Sequence, residues 1–84
     1  MENEQMKQRM QEATEWMKSL SPQELKKEAV KARKVCQEHN LISKLEYLDI
    51  KRKYPGEVNV RLAQTALMRA YLYRKHEEEK GSSE

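Results

Sequence analysis

The sequence predicts an all-α protein, a small antiparallel bundle of three to four helices. Lys, Arg, Glu, Gln, Leu and Ala are abundant among its 84 residues, and these residue types favour helices. Apolar residues recur at helical spacing, and no run alternates apolar and polar positions with β-branched side chains as strands do. Start and stop signals divide the chain into four helical segments.

The chain has room for one domain, predicted over residues 1–80, with residues 81–84 as a disordered tail. A domain of this size buries about 60–65% of its unfolded surface and is marginally stable. Hydrophobic residues make up 37% of the sequence and charged residues another 37%. The low hydrophobic content predicts a thin core.

Helix one is predicted over residues 4–19. Its apolar residues follow the 4-3-4-3 spacing of a short heptad seam, formed by Met6, Met10, Ala13, Met17 and Leu20. Trp16 lies beside this stripe. The simplest interpretation is ordinary core. The alternative is a docking surface, because methionine adapts to varied partners and tryptophan is favoured in interface hot spots.

Helix two is predicted over residues 22–39, and its start carries several agreeing signals. Ser21 and Glu24 have capping-box spacing, and Pro22 suits the first helical position. Small residues at the centre of its buried face imply that a neighbouring helix approaches closely. The predicted buried residues are Leu25, Ala29, Ala32, Val35 and Cys36. Val30 should be exposed, and Asn40 should end the helix in the left-handed conformation.

Helix three is predicted over residues 43–54, from a second capping box in "SKLE" to the turn signal Pro55-Gly56. It carries apolar residues on two faces. One face comprises Leu41, Ile42, Leu45 and Leu48, and the other comprises Tyr47, Ile50 and Tyr54.

Helix four is predicted over residues 59–77, capped by Asn59, and its segment "AQTALMRAYLYRK" is apolar nearly all round. Such a helix is normally buried. Helices three and four are therefore expected at the centre of the bundle, unless their spare faces meet another chain. The predicted partner-binding residues are Trp16, Leu62, Met68, Leu72 and Tyr73, and a symmetric homodimer is the simplest use of the last four.

Charge is unevenly distributed along the chain. Residues 26–75 carry thirteen basic and five acidic groups, a net of +8, while residues 1–25 have a net of −2 and residues 76–84 a net of −3. Such a basic middle can be a solvated face or can bind phosphates. The candidate anion-binding residues are Lys26, Lys27, Arg33, Lys34, Arg61 and Arg69.

Several functional classes find no support in the sequence. The two glycines, Gly56 and Gly81, cannot build a phosphate-binding loop. Cys36 and His39 have C-x-x-H spacing, but only His76 could add a third soft ligand, and structural zinc sites use four ligands. No enzyme, metal site, cofactor or small-molecule substrate is predicted.

The single cysteine excludes an internal disulfide, no apolar run is long enough for a membrane span, and the N-terminal segment does not resemble a signal peptide. The sequence therefore predicts a soluble cytoplasmic protein without a membrane partner. We expect a small non-enzymatic regulatory or adaptor protein that acts by helix-mediated protein contact. The alternative is a nucleic-acid-binding regulator that uses the basic faces of helices two and four.

Overall fold

The computed structural model describes residues 2–82, with side chains for residues 4–81. The described part of the chain is all-helical and contains four helices, α1 (Glu2–Ser19), α2 (Pro22–His39), α3 (Lys44–Lys53) and α4 (Val58–Ser82). It contains no strand. The all-α fold and a compact bundle of helices are thus confirmed.

The boundaries of α2 agree with the predicted ones, while the last helix is longer than predicted at both ends. It begins at Val58, one residue before the predicted cap Asn59, and the Arg61 N–H donates to the Glu57 carbonyl at 2.9 Å. The helix also continues through Gly81 and Ser82. The remainder of the predicted disordered tail, residues 83–84, lies outside the described residues.

Helix α2 is closed at both ends by the predicted devices. The Glu24 N–H donates to the Ser21 hydroxyl at 3.2 Å, and the Ser21 N–H donates to the Glu24 carboxylate at 3.0 Å. At the other end, Asn40 has φ 51° and ψ 46°. This left-handed residue lets the Leu41 N–H donate to the Cys36 carbonyl at 3.0 Å.

The core lies between α2 and α4. Its buried cluster consists of small residues around one leucine: Ala32, Cys36, Ala66, Leu67 and Ala70. The Cys36 thiol lies 3.6 Å from the Ala66 carbonyl oxygen and donates to it. A side chain of one helix therefore reaches the backbone of the other, which is the close approach that the small residues predicted.

Helix α1 covers a second side of α4. Ala13 is fully buried, and the Trp16 ring stacks on Tyr71 with centroids 5.4 Å apart. Towards the other end of α1, Arg9 forms an ion pair with Glu79. Helix α1 thus belongs to the bundle, with part of its methionine stripe left exposed.

Helix α3 is not central, which corrects the prediction that α3 and α4 share the middle of the bundle. None of its residues is buried, and the Leu45 side chain is 79% exposed. The outer face of α3, formed by Leu45 and Leu48 between Lys44, Lys51 and Arg52, points to solvent. Within the described residues, α4 packs against each of the other three helices.

Candidate apolar binding groove

An open groove of about 760 Å³ lies over the first half of α4, between α1 and the start of α2. We call it the apolar groove. Its walls are Met10, Met17, Leu25, Val60 and Met68, and its floor is Leu67. Leu67 is 2% exposed, whereas Val60 is 58% exposed. The groove is therefore a surface depression that reaches the core of the bundle.

The two hydroxyl groups that line the apolar groove, those of Thr14 and Thr65, do not need a hydrogen-bond acceptor from an occupant. The Thr14 hydroxyl donates to the Met10 carbonyl at 2.9 Å, and the Thr65 hydroxyl donates to the Arg61 carbonyl, also at 2.9 Å. Both hydroxyl protons are thus used within their own helices. An apolar side chain entering the groove would leave neither proton without an acceptor.

The rim of the apolar groove is basic. Lys18 and Lys26 line it and are exposed, and none of the lining residues is acidic. Neither lysine forms an ion pair within the described part of the chain. Arg69 also lines the groove, but its charge is matched by Glu46. The rim charge therefore comes from the two lysines.

Arg69 joins three parts of the fold in what we call the Arg69 junction. Its guanidinium donates to both carboxylate oxygens of Glu46, at 2.6 and 3.0 Å, and to the Leu41 carbonyl at 3.0 Å. These bonds attach α4 to the first turn of α3 and to the α2–α3 connection. The fixed fork of arginine suits such bidentate binding.

The Arg69 guanidinium lowers the pKa of the Glu46 carboxyl below its ordinary value of 4.5, and partial burial opposes that effect. Ser43 caps α3 through its hydroxyl, which accepts from the Glu46 N–H at 3.1 Å. In the second predicted capping box, the carboxylate is thus bound mainly by Arg69. Glu46, which the sequence pattern assigned to the capping box of helix three, is thus also the partner of Arg69 in the Arg69 junction.

The structure separates the five predicted partner-binding residues. Only Met68 lines the apolar groove. Leu62 is 8% exposed and belongs to the core. Tyr73 stacks on His39 with centroids 4.5 Å apart, and Trp16 stacks on Tyr71.

Leu72, the remaining predicted partner-binding residue, is half-buried beside Met6 and Arg9 of α1. Of the four residues assigned to the predicted homodimer, Leu62 is buried, while Met68, Leu72 and Tyr73 are half-buried. The homodimer stays a prediction.

The predicted anion-binding residues divide into two groups. Arg69 is held in its junction, and Arg61 pairs with Glu57 at 3.4 Å while its guanidinium lies 4.2 Å from the Tyr54 ring centroid. The other four residues form the basic face of α2, and all are exposed: Lys26, Lys27, Arg33 and Lys34. Within residues 4–81, the candidate cations without an ion pair therefore all lie on α2, whereas the two on α4 are paired with carboxylates.

Cys36 and His39 do not converge on a metal site. Burial raises the pKa of the Cys36 thiol above its ordinary value of 9.0, and the charge of Arg69 opposes this only in part. The His39 ring faces Tyr73, with Nδ1 3.3 Å from the phenol oxygen. No group of three or more potential metal ligands lies together within residues 4–81.

Sequence reasoning missed Leu25 and Val60 as groove residues. It assigned Leu25 to the core because the residue shares a helical stripe with Ala29, Ala32 and Cys36. Leu25 is nevertheless 36% exposed and lines the groove. One feature of the sequence could have indicated the groove: helix four carries more apolar residues than the neighbouring helices could cover.

No helix within the described residues combines the length and the apolar character needed to cross a membrane. No protein-family model, curated protein or solved structure matches the chain. Its function is therefore inferred from the geometry and chemistry of the chain itself.

Proposed function

We propose that the protein is a small regulatory or adaptor protein that acts by helix-mediated contact, and that a segment of its protein partner lies in the apolar groove. The groove itself is the observation that carries this proposal. Its volume of about 760 Å³ is spread over an open depression lined by residues of α1, α2 and α4. An open trough between helices suits a polypeptide segment better than an enclosed small molecule.

The side chains of the groove support a protein ligand. Three of its walls are methionines, Met10, Met17 and Met68, and methionine is common on surfaces that repack around different partners. Apolar contact over a buried floor would supply most of the binding free energy. The partner-binding set proposed here is therefore Met10, Met17, Leu25, Val60 and Met68.

The proposal extends to the class and location of the protein. It acts without catalysis, cofactor or small-molecule substrate, and without a membrane partner. The sequence expectation of a cytoplasmic protein is retained as part of the proposal, because a single buried cysteine suits a reducing compartment.

An antiparallel arrangement of consecutive helices also belongs to the proposal. Arg9 pairs with Glu79, and Trp16 stacks on Tyr71. Residue numbers thus rise along α1 as they fall along α4, which supports opposite directions for these two helices.

The test is affinity capture from an extract of the native cell, with and without nuclease treatment. The double variant Val60→Glu, Met68→Glu should lose the captured partner, because both charges enter the apolar groove. Val30→Glu is the matched control, since Val30 is 59% exposed on α2 and does not line the groove. Thermal unfolding of all variants establishes that they fold. Capture that survives the double variant would refute the proposal.

The second candidate is nucleic-acid binding through the basic face of α2. It is favoured by four exposed cations, Lys26, Lys27, Arg33 and Lys34, that have no ion-pair partner within residues 4–81. Each phosphate they neutralise would steepen the fall of affinity with salt. Tight binding of duplex DNA or structured RNA near ~0.15 M salt, lost in Lys27→Glu, Lys34→Glu, would rank this candidate first.

A further inference from the structure

We infer that the occupant of the apolar groove is an amphipathic helix of another protein, with acidic residues on both sides of its apolar stripe. This inference rests on the function proposed above and specifies the chemistry of the partner. Three features carry it: the shape of the groove, the charge of its rim and the charge of the other exposed apolar face.

The shape of the groove favours a helix as the occupant. Its walls belong to neighbouring helices, so a further helix would pack there as another member of the bundle, with side chains at i, i+3, i+4 and i+7 entering the trough. A polyproline segment would need an aromatic-lined groove, whereas no aromatic side chain among the described residues lines this one, and a β-strand would need a sheet edge for its backbone hydrogen bonds. The described residues contain no strand to offer one.

The rim selects the charge of that helix. Lys18 comes from α1 and Lys26 from α2, so the ammonium groups belong to two different elements of the groove. No lining side chain is acidic, and Glu46 already neutralises Arg69. Glutamates flanking an apolar stripe would meet these lysines at the rim, where charge complementarity sets orientation and selects among partners.

The same charge argument disfavours a second copy of the chain as the occupant. The outer face of α3 is an exposed apolar patch that could enter the groove, through Leu45 and Leu48. Lys44, Lys51 and Arg52 surround it, while the nearby Asp49 is already paired with Arg52 and Lys53. Basic residues would then face a basic rim, and like charges oppose the contact.

The experiment uses two synthetic peptides of about five helical turns (~18 residues). Both carry leucine at i, i+3, i+4 and i+7, and the flanking positions are glutamate in one and lysine in the other. Fluorescence anisotropy at ~0.15 M salt should show the glutamate peptide binding about tenfold more tightly to the unaltered protein. Lys18→Glu, Lys26→Glu should remove or reverse that preference.

Lys27→Glu, Lys34→Glu is the matched control, because it changes the net charge equally without altering the groove lining. It should keep the preference for the glutamate peptide. Should a charge-reversal variant unfold, Lys18→Gln, Lys26→Gln tests the same point with neutral side chains.

The possible failures are distinguishable. Equal binding of both peptides, abolished by Val60→Glu, Met68→Glu, would overturn the acidic partner but leave the groove as a docking site. Binding of neither peptide would count against both proposals. Self-association in a concentration series, lost in Val60→Glu, would show that a second copy is the occupant and overturn the inference.

Discussion

Helix α2 meets α4 through alanine, cysteine and leucine, whereas α3 meets it through a guanidinium and a carboxylate. On the α2 side, Ala32 and Ala66 are each 1% exposed, and the helices approach closely. On the α3 side, Arg69 and Glu46 retain 40% and 36% side-chain exposure. One interface thus depends on packing of small side chains, and the other on oriented charge in contact with water.

This difference implies that the two interfaces respond to different perturbations. Removal or addition of volume should affect the α2–α4 interface, because interiors are packed nearly as densely as crystals. Changes of pH, salt or donor geometry should affect the α3–α4 interface, because exposed ion pairs are screened and contribute little net stability.

The largest effect is expected for Leu67→Ala, which empties the centre of the buried cluster. Its cost should be about 2–5 kcal/mol of unfolding free energy, from lost burial and the resulting cavity. Leu45→Ala is the matched control on exposed α3 and should cost less than about 0.5 kcal/mol. Urea denaturation measures both. Similar losses for the two leucines would contradict the assignment of the core to the α2–α4 interface.

Ala66→Leu tests the close approach of α2 and α4 from the opposite direction. The larger side chain would push against the residues around Cys36, whose thiol donates to the Ala66 carbonyl. We therefore expect the unfolding free energy to fall by about 1–3 kcal/mol. Ala63→Leu is the same substitution on the groove side of α4 and should be tolerated within about 0.5 kcal/mol. If both variants have the same melting temperature as the unaltered protein, the α2–α4 interface has more space than the structure indicates.

Arg69→Lys sharpens the comparison at the α3 interface. Lysine keeps the charge but lacks the fork that binds Glu46 and the Leu41 carbonyl together. We expect a loss of about 1 kcal/mol, below the ~1.5–3 kcal/mol typical of charged hydrogen bonds, because the pair is partly exposed. Hydrogen exchange should accelerate in α3 more than in α2. Arg33→Lys, on the exposed face of α2, should leave both helices unchanged.

The smallest expected effect is the contribution of Glu46 to folding stability at acidic pH. Arg69 lowers the pKa of Glu46 in the folded protein below its ordinary value of 4.5. The ionised carboxylate therefore stabilises the fold above about that pH, and this contribution is lost as the pH falls through the lower folded-state pKa. Urea midpoints measured between neutral and acidic pH should show a shallower acid decline for Glu46→Gln. An identical decline would mean that the pair is not linked to folding.

The sequence predicted the ends of the helices well, but it did not predict which neighbouring helix packs on each helix face. The ends of α2 follow from Ser21, Pro22, Glu24 and Asn40, because each acts on the backbone within one turn. Helical periodicity also identified the side of α2 that carries Ala32. All these features depend on residues close together in the chain.

The Arg69 junction and the apolar groove could not be predicted in this way. Arg69 bonds Glu46 and the Leu41 carbonyl, 23 and 28 positions away in the chain. Periodicity shows that α4 is apolar on several sides, but not which neighbour covers each side. Leu62 is consequently core and Met68 groove, although both were assigned to one partner surface.

The core described above contains no side chain larger than leucine among residues 4–81, and the apolar groove opens directly onto Leu67. A ligand that binds only the folded chain shifts the unfolding equilibrium by mass action, by about 2.7 kcal/mol when its concentration is a hundredfold above Kd. Domains of this size have only about 4–13 kcal/mol in total. An occupant of the groove would therefore raise the melting temperature substantially. In a cell, where proteases remove unfolded molecules, the half-life of this chain would then follow the supply of its partner.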